Sequence, residues 1–237
     1  MNPQRPSSRP HSRPRPRLYL FTPRLDDAAE FAGSGGPLDQ ALRAGDVAAV
    51  LLRFAEPAAA GAAAEGALIA RIEAMAAIVH ARDIALLLDG RPELAARSSA
   101  DGAHISGLAP FAAAFGLLKP DRIAGAGGLH SRHDAMLAAE AGADYVMFGE
   151  PDRDNRRPQF AALQDRLAWW AEVFEIPCVG YAGSREEIGP LAATGADFIA
   201  LGDWIWVDPQ GGAAIVAAAS AALAALERAE ATTAPDK

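Results

Sequence analysis

Three times this chain runs small residues into an aspartate and then straight into an apolar strand: Ser98-Ser99-Ala100-Asp101-Gly102, Ala141-Gly142-Ala143-Asp144-Tyr145 and Thr194-Gly195-Ala196-Asp197-Phe198. Glycine after a helix takes the left-handed conformation that stops it, and aspartate suits the turn that launches the next strand. A junction of this kind, repeated, predicts parallel strands joined by crossover helices. Eight short apolar runs fit the strands, at 18–22, 47–54, 84–88, 102–105, 122–125, 145–149, 178–181 and 198–202. Helical patterns separate or follow them at 38–44, 65–82, 92–98, 108–117, 132–141, 159–175, 185–194 and 211–229. Eight strand-helix units predict one closed (β/α)8 barrel, a TIM barrel, rather than an open doubly wound sheet. The three aspartates then fall at the N-terminal ends of strands, on the face that serves stability, and are read as structural.

Length agrees, since 237 residues is near the roughly 250 of one such barrel. Residues 1–17 carry Arg5, Arg9, Arg13, Arg15 and Arg17 and no acid, so removing those five charges from a net −8 leaves −13 on the rest. An acidic body of that size repels nucleic acid and anionic lipid, which argues against both as partners. The Arg/Pro/Ser segment 1–17 has too few apolar side chains to offset its ordering entropy, and a disordered tail is expected there. A transit peptide or an anion-binding arm is the alternative for it. The barrel is expected over 18–229 and a flexible end over 230–237. The single cysteine, Cys178, lies in an apolar run and reads as a buried inert thiol in a reducing cytoplasm. No stretch is apolar enough for a membrane helix.

The phrases DGAHISG (101–107), GLHSRHDAMLAAEAGADYVMFGEP (128–151) and IPCVGYAGSREEIGPLAATGADFIALGD (176–203) resemble, in that order, the second half of the thiamine phosphate synthase and thiazole tautomerase superfamily. VAAVLLRF (47–54) and LLLDGRPELA (86–95) resemble its first half more faintly, so the likeness covers about 18–205. The resemblance implies that a thiazole phosphate displaces pyrophosphate from an aminopyrimidine diphosphate. Such chemistry asks for Mg²⁺ on the pyrophosphate, cations for the departing charge and backbone N–H donors for the thiazole phosphate. The implied partner is a small phosphorylated heteroaromatic ligand, and a homo-oligomer is compatible with the sequence.

Set against the family's phrases, several chemical positions differ. Where the family's second strand reads Gln-x-Arg-x-Lys, this chain has Leu51, Arg53 and Ala55, so the resemblance leaves Arg53 as the catalytic cation that grips phosphate oxygens. An ion pair of Arg53 with Glu56 or Asp89 is the structural alternative. A one-residue slide in LLLDGRPELA makes Asp89 the metal ligand, while the second metal carboxylate is replaced within Gly107-Leu108-Ala109-Pro110. His130 stands at the position that the tautomerase branch uses for proton transfer, and alternatively caps a helix with Ser131 and Asp134. Arg153, Arg156 and Arg157 stand in for the family's loop lysine as a clamp on an anionic substrate, or pair with Glu150, Asp152 and Asp154 in a solvated loop. Gly183, Ser184 and Gly202 are the expected phosphate-binding positions, with Asp203 an unfavourable neighbour for a phosphate. Trp204 and Trp206 narrow the mouth or pack the last helix.

Three functions follow. One is a synthase of weakened activity; the second is a tautomerase-like isomerase working through His130. The third is a non-catalytic binder of a phosphorylated or heteroaromatic ligand. Another phosphate-binding barrel is the remote fourth, because this fold hosts many chemistries.

Overall fold

Eight strands, all parallel, pair in chain order, and the last returns to the first. The computed structural model describes residues 15–25, 31, 33, 35–55 and 62–233. The strands are β1 (Arg17–Leu25), β2 (Val47–Phe54), β3 (Ala85–Asp89), β4 (Gly102–Ser106), β5 (Ile123–Gly127), β6 (Tyr145–Phe148), β7 (Cys178–Ala182) and β8 (Phe198–Leu201). The helices between and after them are α1 (Pro37–Ala44), α2 (Ala62–His80), α3 (Pro92–Ala96), α4 (Leu108–Leu118), α5 (Arg132–Glu140), α6 (Phe160–Val173), α7 (Arg185–Ala192) and α8 (Gly212–Thr233). The chain is therefore a single-domain (β/α)8 barrel. All eight expected strands are present.

Side chains alternate across each strand, which divides the apolar residues into two cores. Leu18 and Leu20 of β1 face the helices, whereas Tyr19 and Phe21 enter the barrel with Leu51, Leu87, Tyr145, Met147, Val179, Tyr181 and Ala200. The bulky Tyr145 is accommodated by β5, whose sequence is IAGAG: a Cβ on Gly125 would lie 2.1 Å from its ring.

The repeated aspartates hold the strand starts. Asp101 donates its N–H to the Leu86 carbonyl at 2.8 Å, and its carboxylate accepts the Leu86 N–H at 2.7 Å. Asp144 does the same to Ala124 (2.9 and 2.7 Å), and Asp197 to Cys178 (3.0 and 2.8 Å). Each aspartate thus satisfies both backbone groups of one residue on the preceding strand, where the sheet ladder has not yet begun.

Two expected boundaries move. Arg15 and Arg17 belong to the barrel, since both bind Asp46 (2.6 and 2.8 Å) and β1 starts at Arg17; residues 1–14 of the expected tail lie outside the described residues. Helix α8 continues to Thr233 rather than ending at 229, as its alanine-rich sequence favours; residues 234–237 lie outside the described residues. Among the described residues, no helix is long and apolar enough to cross a membrane.

Replacing Asp197 with Ala strands the buried Cys178 N–H, and a loss of about 1–3 kcal/mol in urea-induced unfolding is expected. Asp197→Asn, which keeps an acceptor oxygen, should lose less. Equal stability of parent and Asp197→Ala would contradict the clamp.

Candidate functional site at the barrel mouth

Parallel barrels carry their chemistry at the C-terminal ends of the strands, because the loops that follow are free to vary without disturbing the core. Three polar groups meet there.

The first group spans β1, β2, β3 and the turn after β8. Arg53, only 14% exposed, donates from Nη1 to Asp203 Oδ2 at 3.1 Å and lies 3.7 Å from Asp89 Oδ2 through Nε. Its guanidinium also lies over the Phe21 ring, 5.7 Å from the centroid, and Arg24 stands 3.9 Å from Asp89. Arg53 and Asp89 therefore converge, as an ion pair shared with Asp203; Glu56, its other expected partner, lies outside the described residues. Asp203, the unfavourable neighbour expected for a phosphate, pairs with this guanidinium in the free protein. Asp89 sits between two cations, and no three His, Cys, Asp or Glu side chains come together as a metal-holding group among the described residues. This donor set does not fit a resident Mg²⁺ ion.

The second group forms the floor. His104, on β4 in the inward register between Gly102 and Ser106, is buried; its Nδ1 lies 2.9 Å from the Tyr145 hydroxyl, which lies 3.0 Å from the Tyr19 hydroxyl. Glu150, immediately beyond β6, closes the network. Its Oε1 accepts the Gly128 N–H at 2.6 Å and lies 3.3 Å from both His104 Nε2 and Ser106 Oγ. Gly127 makes this possible, since a Cβ there would stand 2.1 Å from Glu150 Oε1 and 2.3 Å from His104 Nε2. Glu150 was expected to pair within a solvated loop, and that expectation is corrected: its side chain is only 9% exposed and faces the barrel interior. Burial drives the His104 imidazole down, but the charge and hydrogen bond of Glu150, with Asp89 behind, outweigh it and hold its pKa above the ordinary value. Burial raises both interior tyrosines, Tyr19 and Tyr145, far above the usual phenol range. Tyr181, nearer the mouth, is pushed up to about 12 by burial and by the Asp203 carboxylate.

The third group joins the loop after β6 to α7. Arg157 donates to the Gly149 and Tyr181 carbonyls (2.8 and 2.9 Å) and twice to Glu187 (2.8 and 3.2 Å). The Gly183 N–H, an expected phosphate donor, points at Glu187 Oε2 at 2.7 Å, and the Ser184 hydroxyl donates to Glu186 at 2.6 Å. Carboxylates of the chain itself thus occupy both donors. A Cβ on Gly202 would stand 2.0 Å from the Tyr181 hydroxyl, so close packing uses this glycine.

The remaining expected residues lie apart from these groups. Arg156 pairs with Asp152 and Asp154 (3.0 and 2.6 Å) on the surface, and Arg153 is exposed. His130 is exposed at the start of α5, where Ser131 and Asp134 exchange the two bonds of a capping box (2.9 and 3.0 Å). Trp204 and Trp206 spend their indole N–H groups on the Ala182 and Phe21 carbonyls, which fixes them as packing.

Sequence reasoning named neither His104, Glu150 nor Glu187 as site residues. For His104 the signal was present in the alternation of β4, which puts every second residue inside the barrel. Glu150 and Glu187 gave no local signal, because their partners come from other strands and loops.

Fold and polar mouth together define a barrel protein whose ionisable groups converge at the C-terminal ends of its strands. A family model described as thiamine monophosphate synthase matches residues 18–205. The chain belongs to the thiamine monophosphate synthase family. It is 42% identical over 204 residues to the thiamine-phosphate synthase of Rhodospirillum centenum, covering 85% of this chain and 94% of that protein. The thiamine-phosphate synthase of Hyphomonas neptunium is 36% identical over 214 residues, covering 88% and 94%. Among solved structures, the thiamine phosphate pyrophosphorylase of Pyrococcus furiosus superposes with a TM-score of 0.71 at 19% identity, covering 89% of this chain and 96% of that one, a likeness of fold.

Two measurements check this electrostatic picture. The His104 ring proton should titrate in NMR above the free-imidazole value of about 6.5. Because its folded pKa is raised, the stability it contributes is present below that value and lost as pH rises through the folded midpoint. In Glu150→Gln, burial acts with only Asp89 opposing it, and the midpoint should fall; a parent midpoint below about 6.5 would contradict the assignment. Separately, Glu187→Ala vacates the space between the Gly183 amide and Arg157. Inorganic phosphate should then stabilise the variant by about 1 kcal/mol, or about 2–4 °C in Tm, more than it stabilises the parent. An identical response in both proteins would contradict the occupied cradle.

Proposed function

We propose that this chain is a thiamine-phosphate synthase of reduced turnover, acting in thiamine biosynthesis in a reducing cytoplasm. The observation that carries this reading is the placement of Arg53, the one cation kept from the family's second-strand phrase, at the mouth and against Asp89 and Asp203. The bond between the aminopyrimidine methylene and the pyrophosphate oxygen breaks, and pyrophosphate leaves with the electron pair. The thiazole nitrogen forms the new bond to that methylene carbon. Arg53, with Arg24 beside it, neutralises the charge that builds on the departing oxygens, an effect strengthened by the low exposure of Arg53.

Reduced turnover follows from what Arg53 must give up. It is held by two carboxylates in the ligand-free protein, so a pyrophosphate has to compete with both. Any Mg²⁺ would enter with the substrate's pyrophosphate and would screen its charge there, and no step here depends on it. The exposure of His130 and its place beside the α5 cap give no support to a tautomerase working through that residue.

Incubation with aminopyrimidine diphosphate, thiazole phosphate and Mg²⁺ should yield thiamine phosphate above an enzyme-free control. Arg53→Ala should lower kcat/KM by about 10²-fold, the scale of one lost donor to a developing charge. Absence of product would overturn the synthase reading, and ligand binding without turnover would identify a binding protein instead.

A further inference from the structure

Glu150 Oε2 is buried and has no hydrogen-bond partner, while Oε1 of the same carboxylate gathers the Gly128 N–H, His104 and Ser106. An ionised carboxylate only accepts hydrogen bonds, and a buried acceptor left unpaired is costly, so the orphan oxygen calls for a donor that the protein does not supply. An anion is excluded there by charge.

The surroundings define the shape of the donor's carrier. His104 and Tyr145 stack nearly parallel, 11° apart with centroids separated by 5.7 Å, and Phe21 and Tyr181 meet edge to face with centroids 5.3 Å apart. Aromatic rings next to a single unpartnered carboxylate oxygen suit a planar heterocycle bearing N–H groups. Arg157, nearer Glu150, is paired with Glu187, whereas Arg53 and Arg24 stand on the opposite side of the barrel at β1 and β2, so a ligand with an amino-bearing ring at one end and a diphosphate at the other matches both poles.

We propose that Glu150 is the specificity residue of this barrel, its carboxylate accepting the exocyclic amino N–H of the aminopyrimidine and so selecting an amino-bearing ring over its oxo counterpart. The inference rests on the synthase reading for the identity of that ring. The terminal torsion of a glutamate carboxylate is soft, so a small turn aims Oε2 at the ligand while Oε1 stays with the Gly128 N–H. His104 is then a positioning residue, which holds the carboxylate through Nε2 and is itself held by Tyr145 and Tyr19.

The test is equilibrium binding, by calorimetry, of aminopyrimidine diphosphate and of the analogue in which a ring carbonyl replaces the amino group, to the parent and to Glu150→Gln. The parent should prefer the amino ring by about tenfold or more, the scale of one hydrogen bond to a charged acceptor. Glu150→Gln, which can donate as well as accept, should lose or reverse that preference while its affinity for pyrophosphate alone is retained. Equal affinity of the parent for both rings overturns the inference, and this arm needs no variant to fold. An undiminished preference in Glu150→Gln also overturns it. Thiamine phosphate formation alongside either of those results leaves the synthase reading standing and the inference rejected. Loss of preference without any product supports Glu150 and rejects the synthase reading, and a parent that binds neither ring rejects both.

Discussion

The pair of hydrogen bonds that Asp101, Asp144 and Asp197 each make with one residue of the preceding strand sets the register on which the rest of the barrel depends. A strand shifted by one residue exchanges its inner and outer faces. With β4 in its clamped register, His104 enters the barrel and Ala103 and Ile105 face the helices. One step of slippage would put the imidazole among the helix-facing leucines and take away the floor of the mouth. The aspartates at the N-terminal face therefore determine, at a distance, which side chains are available at the C-terminal face.

Charge at that mouth is matched almost group for group. Arg53 is balanced by Asp89 and Asp203, Arg157 by Glu187, and His104 by Glu150. Paired in this way, the groups are ordered without a ligand, and each pair must be partly undone when a ligand arrives. Tight recognition then depends on a ligand that replaces what it displaces: phosphoryl oxygens for the carboxylates around the arginines, and N–H donors for Glu150. The same logic explains why Gly183 and Ser184, sound phosphate donors by chain position, are engaged by Glu187 and Glu186 in the free protein.

How much of this was legible in the sequence follows a physical division. The strands were legible because each is a short apolar run between turn residues, and β2 runs over 47–54 as its pattern implies. The pairing of Arg53 with Asp89 was legible as one of two alternatives, since both sit at the ends of neighbouring strands. His130 drew attention through its place in a familiar phrase, yet it lies in the solvent beside a helix cap. His104 lay two residues from the end of its own strand and passed unremarked. Glu150 and Glu187 act through partners 22 to 46 and 4 to 30 residues away, on other elements, and charge counting along a loop assigns such residues to solvent. Only the closed barrel brings them inward.

The proposed binding mode polarises the mouth, with an amino-bearing ring over Glu150 and its diphosphate toward Arg53. A crystal structure of the protein with aminopyrimidine diphosphate tests it most directly. The exocyclic nitrogen is expected about 3 Å from the Glu150 carboxylate and the diphosphate on the Arg53 guanidinium, with Asp203 displaced from it. A heterocycle seated away from Glu150, or a diphosphate bound elsewhere with the Arg53–Asp203 pair intact, would contradict it.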